Sequence, residues 1–170
     1  MSSCCADGSC EVRTESVASD ACGTCGSKGL SVEPITLKAL LTPDALRRGV
    51  PNDPRFCPTD DCPVVYFDHG ASRTFTENDL TVPVHSKHRH DEDVLVCYCF
   101  GLSPGTIRRE IEQTGSSTAS KMIAAEVNAG HCACEVRNPK GRCCLGDVAK
   151  VEREVNRWLE EGMQSFAKSI

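Results

Sequence analysis

The sequence predicts an α+β chain: a small β-rich unit over residues 21–86, then an α-helical unit over residues 94–168. Three observations carry that expectation. Before residue 86 the apolar runs are short, β-branched or aromatic, with Gly29, Gly49 and Gly70 at the turns. Beyond residue 100 apolar residues recur at helical spacing. Thirteen cysteines fall into three groups, two of which look like paired half-sites closed across ordinary protein.

Residues 1–20 are small and polar and are expected to form a disordered tail carrying Cys4, Cys5 and Cys10. In the β-rich unit, residues 32–41 form an apolar run broken by Pro34, and residues 64–67 (VVYF) are of strand type. Phe75 and residues 80–84 suggest two more short strands. Residues 85–93 (HSKHRHDED) are all polar; 87–93 is expected to be a solvated linker, with an accessory metal site at His85, His88 and His90 as the alternative. Ser103 and Pro104 mark a helix start, as N-cap and first helical residue; Ile107 and Ile111 share a face, and Gly115 fits the stop. A second helix is expected over residues 118–129, with Met122, Ile123 and Val127 as its stripe and Gly130 at its end. The last helix is the clearest: Leu145, Val148, Val151, Val155, Trp158, Leu159 and Phe166 recur along one side.

Aromatic residues make up 5% of the 170, with one tryptophan, so two separate cores would be thin. Small units with thin cores need staples: disulfides, metals or partners. The first residues show no basic region followed by an apolar one, and no apolar run approaches the ~18 residues of a membrane span. A chain kept in a reducing cytoplasm uses closely spaced cysteines for metal rather than disulfides, and the odd count also argues against complete pairing. The net charge of −5, with no Lys/Arg block, argues against nucleic acid.

Cys22-Gly-Thr-Cys25-Gly and Cys57-Pro-Thr-Asp-Asp-Cys62 are two cysteine pairs. A two-residue gap lets both sulfurs face one ion, and four thiolates make a closed tetrahedral zinc site. Binding the ion supplies on the order of 10 kcal/mol towards folding. A redox disulfide motif would need a βαβ pattern beside it, and none is visible.

Cys97-Tyr-Cys99 precedes the first predicted helix, and Cys132, Cys134, Cys143 and Cys144 precede the last. Predicted helix N-termini thus flank both half-sites, bringing unpaired N–H groups that stabilise an anionic centre. Spacing alone leaves a second zinc and a [2Fe–2S] cluster both open.

From Val96 onward the chain resembles the bacterioferritin-associated ferredoxin type of [2Fe–2S] domain: C-x-C after a short apolar run, two short helices, then a second cysteine pair before a further helix. More specifically, residues 22–148 resemble the N-terminal half of CopZ-type copper chaperones through CGTCGSKG, CPTDDCPVVYF, VCYCFG and CEVRNPKGRCC. The resemblance implies a zinc subdomain joined to a [2Fe–2S] subdomain, with zinc on Cys22, Cys25, Cys57 and Cys62. It implies the cluster on Cys97, Cys99, Cys134 and Cys144, with Cys143 and Cys132 as alternates. Cys143 is expected to be buried or held in reserve, and Asn138-Pro139-Lys140-Gly141 to form a turn.

That family continues into a copper-binding domain, which the resemblance does not reach here. The tail thiols Cys4, Cys5 and Cys10 are the candidate substitute, since adjacent thiols suit Cu(I) or Hg(II). The expected function is one-electron transfer in copper or heavy-metal homeostasis, with copper reduced or sequestered. The alternatives are a non-redox metal-binding chaperone module, and an electron shuttle or cluster carrier for a partner reductase. Expected partners are metal ions and a redox or copper-handling protein, with neither nucleic acid nor membrane. No nucleophile motif, phosphate loop or open zinc site points to an enzyme. His69 and His131 stand alone, and His131, next to Cys132, is also a candidate hydrogen-bond donor to a cluster sulfur.

Overall fold

Two proline-led turns of helix lie inside the unit expected to be β-rich. The computed structural model of the protein describes residues 20–167. After the two-residue strand β1 (Leu30–Ser31), helix α1 spans Pro34–Leu40 and α2 spans Pro43–Arg47. Pro34 and Pro43 do not break an extended run; each sits in a first helical turn, where its fixed φ is already helical and its missing N–H is not needed. Thr42 caps α2, its hydroxyl accepting from Ala45 N at 3.3 Å. Leu37 and Leu40, three residues apart, are buried together with Ala45.

Strands β2 (Pro54–Phe56), β3 (Val64–Asp68) and β4 (Thr74–Thr76) complete a four-stranded antiparallel sheet in the order β1-β2-β3-β4. Phe56 lies opposite both Leu30 and Tyr66. The VVYF run is β3, as its composition indicates, and a register shift between Val64 and Tyr66 explains why it is buried throughout. Val65 and Tyr66 join Val32, Leu37, Leu41, Phe56 and Phe75 in one core, whereas Val64 and Phe67 turn to Cys22, Cys57 and Cys62. Residues 80–84 are not a strand. Leu80 bridges Leu41, and the stretch runs between short 3-10 turns at Glu77–Asp79 and His85–Lys87.

The helical part follows its sequence pattern except at Trp158, expected in the buried stripe of the last helix but exposed. Helix α3 (Pro104–Thr114) starts with a reciprocal cap between Ser103 and Thr106 and stops at Gly115, whose φ is +80°. Helix α4 spans Ala119–Asn128, and α6 spans Leu145–Ala167. A one-turn helix, α5 (Cys134–Arg137), lies between them in the cysteine-rich loop. Val96, Ile107, Ile111, Ile123, Val148 and Val151 form the second core, which also contains Cys97 and Cys144. Phe166 lies beyond the side chains the structure describes. Among the described residues no helix is long and apolar enough to cross a membrane.

The two cores are joined by hydrogen bonds. Thr36 Oγ1 donates to Glu135 O (2.6 Å), Tyr66 OH to Pro139 O (2.7 Å) and the Arg142 guanidinium to Ser31 O (3.2 Å). Tyr98 OH donates to Pro83 O (2.8 Å) and accepts from His85 N (3.0 Å). The polar segment after residue 86 is bonded to both of its neighbours. Lys87 reaches Thr59 O, Arg89 pairs with Asp60 (2.7 Å), Glu92 pairs with Arg108, and Gly105 N donates to Glu92 O (2.9 Å).

Candidate metal centres

Cys22 and Cys25 sit in a tight turn closed by Gly26 N to Cys22 O (2.8 Å) and Cys22 N to Ser27 O (2.9 Å). Cys57 follows β2, its N–H bonded to Val65 O (2.9 Å), and Cys62 closes a short turn just before β3. The fold brings these four thiols together: all four sulfurs lie within 4.8 Å of one another. Cys22 and Cys62 are 3.9 Å apart, and Cys25 and Cys57 3.5 Å. A tetrahedron with metal–sulfur bonds of about 2.3 Å has sulfur–sulfur edges of about 3.8 Å, so the donor set fits a single zinc ion. With four sulfurs in place no coordination position remains open, which is the mark of a structural site.

Burial pushes the Cys57 thiol up to about 12 and also raises Cys62. Cys25 is exposed and shifted down, first by the Thr59 hydroxyl 3.4 Å away and then by Ser27. The N–H groups of Ser27, Thr59 and Val64 face Cys25, Cys57 and Cys62 and favour their thiolates. The Cys57 and Cys62 thiols therefore keep their protons until a cation displaces them. Ser27 and Thr59 were not singled out by the motif pattern. Their signal is position, since both lie in the short loops that carry the ligands.

Cys97 and Cys99 occupy a second tight turn, in which Cys97 and Leu102 exchange backbone hydrogen bonds of 3.0 and 3.1 Å. This places them just before α3. Cys134 opens α5, and Cys144 caps α6 with its carbonyl accepting from Val148 N (2.9 Å). The four do not close into one tight tetrahedron. Cys99 and Cys134 are 3.6 Å apart, and Cys97 and Cys144 are buried in the same core. Among the described residues, no second group of three or more ligand atoms lies within 4.8 Å of one another.

Cys97 and Cys144 act on each other: Cys144 lowers the Cys97 thiol, and Cys97 together with burial raises Cys144. Burial pushes Cys134 up to about 12. Backbone donors surround these sulfurs: Ala133 N reaches Cys99 Sγ at 3.4 Å, Phe100 N–H faces Cys97, and Cys144 N–H faces Cys134.

The remaining candidates divide. Cys143 is exposed rather than buried, because adjacent residues at a helix start point apart and Cys144 takes the inward direction. It stays close enough to Cys134 and Cys144 to raise both electrostatically. Cys132 is half-buried and makes no sulfur–sulfur hydrogen bond among the described residues. His131 turns to Glu126 (2.8 Å) instead of a sulfur, and His69 to Asp20 (3.2 Å). His88 is held by Glu77 (2.6 Å), and His85, His88 and His90 do not gather into a ligand set among the described residues. Cys4, Cys5 and Cys10 lie outside the described residues.

Residues 19–81 match the CopZ-type family described as a zinc binding domain. Over 123 residues, 72% of this chain, the sequence is 31% identical to the copper chaperone CopZ of Archaeoglobus fulgidus, and the match spans 57% of that protein's length. The X-ray structure of the N-terminal domain of Archaeoglobus fulgidus CopZ superposes with a TM-score of 0.63 at 29% identity, covering 77% of this chain and 96% of that one. The four-sulfur group thus lies wholly inside the region that matches a CopZ-type zinc binding domain, within a chain similar over most of its length to a CopZ N-terminal domain.

Proposed function

We propose that the chain is a two-centre metalloprotein of metal homeostasis. Zinc on Cys22, Cys25, Cys57 and Cys62 holds one half of the fold, and a [2Fe–2S] cluster on Cys97, Cys99, Cys134 and Cys144 is the working group. The observation that carries this reading is the contrast between the two thiol sets. The first closes within 4.8 Å, as a single ion requires, whereas among the described residues no three sulfurs of the second gather so closely and Cys99 and Cys134 stand 3.6 Å apart. Four thiolates shared between two irons need no single tight group, and four-cysteine ligation is usual for such clusters.

When bound, a cluster of this kind supplies one-electron chemistry. The protein's part is to offer four thiolates and to direct the Ala133, Phe100 and Cys144 N–H groups at their sulfurs. Similarity to a copper chaperone supports copper as cargo or substrate, and a copper-handling protein as partner. One-electron reduction of Cu(II) gives Cu(I), the form thiols bind best. A metal-binding role without enzymatic turnover fits the closed zinc set. The test is the visible spectrum of the purified protein: brown absorbance that dithionite bleaches supports the reading, and a colourless protein overturns it.

A second reading, a non-redox copper-binding module, draws on the same relative and on the tail thiols Cys4, Cys5 and Cys10. Cu(I) titration with and without residues 1–20 tests it: a lower stoichiometry on truncation supports the tail as a site, and an unchanged one removes it.

A further inference from the structure

We propose that Thr36 and Tyr66, both on the zinc-bearing side of the molecule, are positioning residues for the cysteine loop, fixing where Cys134 and Cys144 stand relative to Cys97 and Cys99. The inference rests on the cluster reading above.

The loop between Cys134 and Cys144 is stiff internally. Asn138 is buried; its Nδ2 donates to Arg142 O (2.6 Å) and its Oδ1 accepts from Lys140 N (3.0 Å), while Gly141 N donates to Asn138 O (2.7 Å). These bonds set the shape of the loop but not its orientation. Orientation comes from two contacts across the junction. Thr36 Oγ1 donates to Glu135 O at 2.6 Å, one residue from Cys134, and Tyr66 OH donates to Pro139 O at 2.7 Å, midway along the loop.

Both Thr36 and Tyr66 are fully buried, so each hydroxyl depends on this one partner. The acceptors depend on them in turn. The residue four beyond Glu135 is Pro139, which has no N–H, so Glu135 O in the one-turn helix α5 lacks the i+4 donor a helix would give it. Burial also raises the Tyr66 phenol, so it remains a donor across ordinary pH. The two anchors stand on different elements, α1 and β3, and β3 begins two residues after Cys62. Thr36 sits directly against the loop, with its Oγ1 2.9 Å from where a Cβ on Gly141 would lie.

The test uses the full chain, reconstituted with ferrous iron and sulfide, as the parent and as Tyr66→Phe, Thr36→Val and Thr36→Ser. Removing one such hydrogen bond should speed loss of the cluster to a ferrous chelator about five- to tenfold. The visible circular dichroism of the cluster should change, while zinc content and far-UV spectrum stay at parent values. Thr36→Ser keeps the hydroxyl and should behave as the parent. Variants with parental visible dichroism and release rates would overturn the positioning role. So would parallel loss of zinc, because the hydroxyls would then serve the whole fold. A parent that takes up no iron overturns the cluster reading itself, and this role with it.

Discussion

Gly141→Ala should destabilise the protein more than the same change at any open left-handed glycine. Gly141 has φ +63°, and a Cβ there would lie 2.9 Å from Thr36 Oγ1 and 3.4 Å from Val32 Cγ1. The backbone conformation alone costs alanine about 1–2 kcal/mol. To make room, the Thr36 hydroxyl must also leave Glu135 O, and stranding buried partners costs about 1–3 kcal/mol more. Gly130 is the control: its φ is +74° and a Cβ there meets nothing within 4 Å, so Gly130→Ala carries only the backbone cost. The difference between the variants, about 1–3 kcal/mol, measures the contact between the cysteine loop and α1. For a chain of this size it corresponds to a gap in Tm of roughly 3–10 °C. Thermal unfolding of the zinc-loaded proteins followed by far-UV circular dichroism reads it directly. Equal Tm values for the two variants would refute the account of a loop held tightly against α1.

Three further outcomes follow from the same geometry. Cys97→Ser should abolish visible absorbance while zinc analysis remains at one ion per chain, since the zinc thiols pack in their own cluster with Val64 and Phe67; loss of both metals together would contradict this. Cys62→Ser should release zinc and also accelerate cluster loss, because β3 follows Cys62 directly and Tyr66 on that strand anchors the cysteine loop; a variant that retains zinc and Tm would contradict it. Asp79→Asn should cost about 1–2 kcal/mol near neutral pH, read by urea unfolding. Burial raises the Asp79 carboxyl, but Arg48 at 2.5 Å and Thr76 N–H at 2.8 Å outweigh it and hold the group below the ordinary carboxylate value. Its folded pKa is depressed, so this stabilisation is complete above pH ~4 and fades as pH falls through the folded value; the gap between parent and variant should close there.

Much of the helical half was legible in the sequence because its signals are local. Ser103 and Pro104 start α3 and Gly115 ends it, and the stripe from Leu145 to Leu159 marks α6. The first half was harder. Pro34 and Pro43 have the same chemistry whether they interrupt a strand or open a helix, and only the packing of Leu37 and Ala45 in one core with Phe56, Val65 and Tyr66 decides between them. Strands of two and three residues, such as β1 and β2, are too short to show alternation and exist because β3 pairs with β2 and β2 with β1. Spacing picked out the first thiol group, since each pair is contiguous and one ion needs all four sulfurs. The arrangement of the second group, with Cys99 beside Cys134 and with Cys97 and Cys144 in one core, was not legible, because it arises from two separate turns meeting at helix starts. Thr36 and Tyr66 gave no signal, since a buried hydroxyl aimed at a distant backbone carbonyl leaves no pattern in sequence.

The central claim is that two thiol sets of different geometry hold two different metals. Elemental analysis of the intact, anaerobically purified protein tests it most directly. The account predicts about two irons and two acid-labile sulfides for each zinc. Two zinc ions per chain, with neither iron nor sulfide, would contradict it.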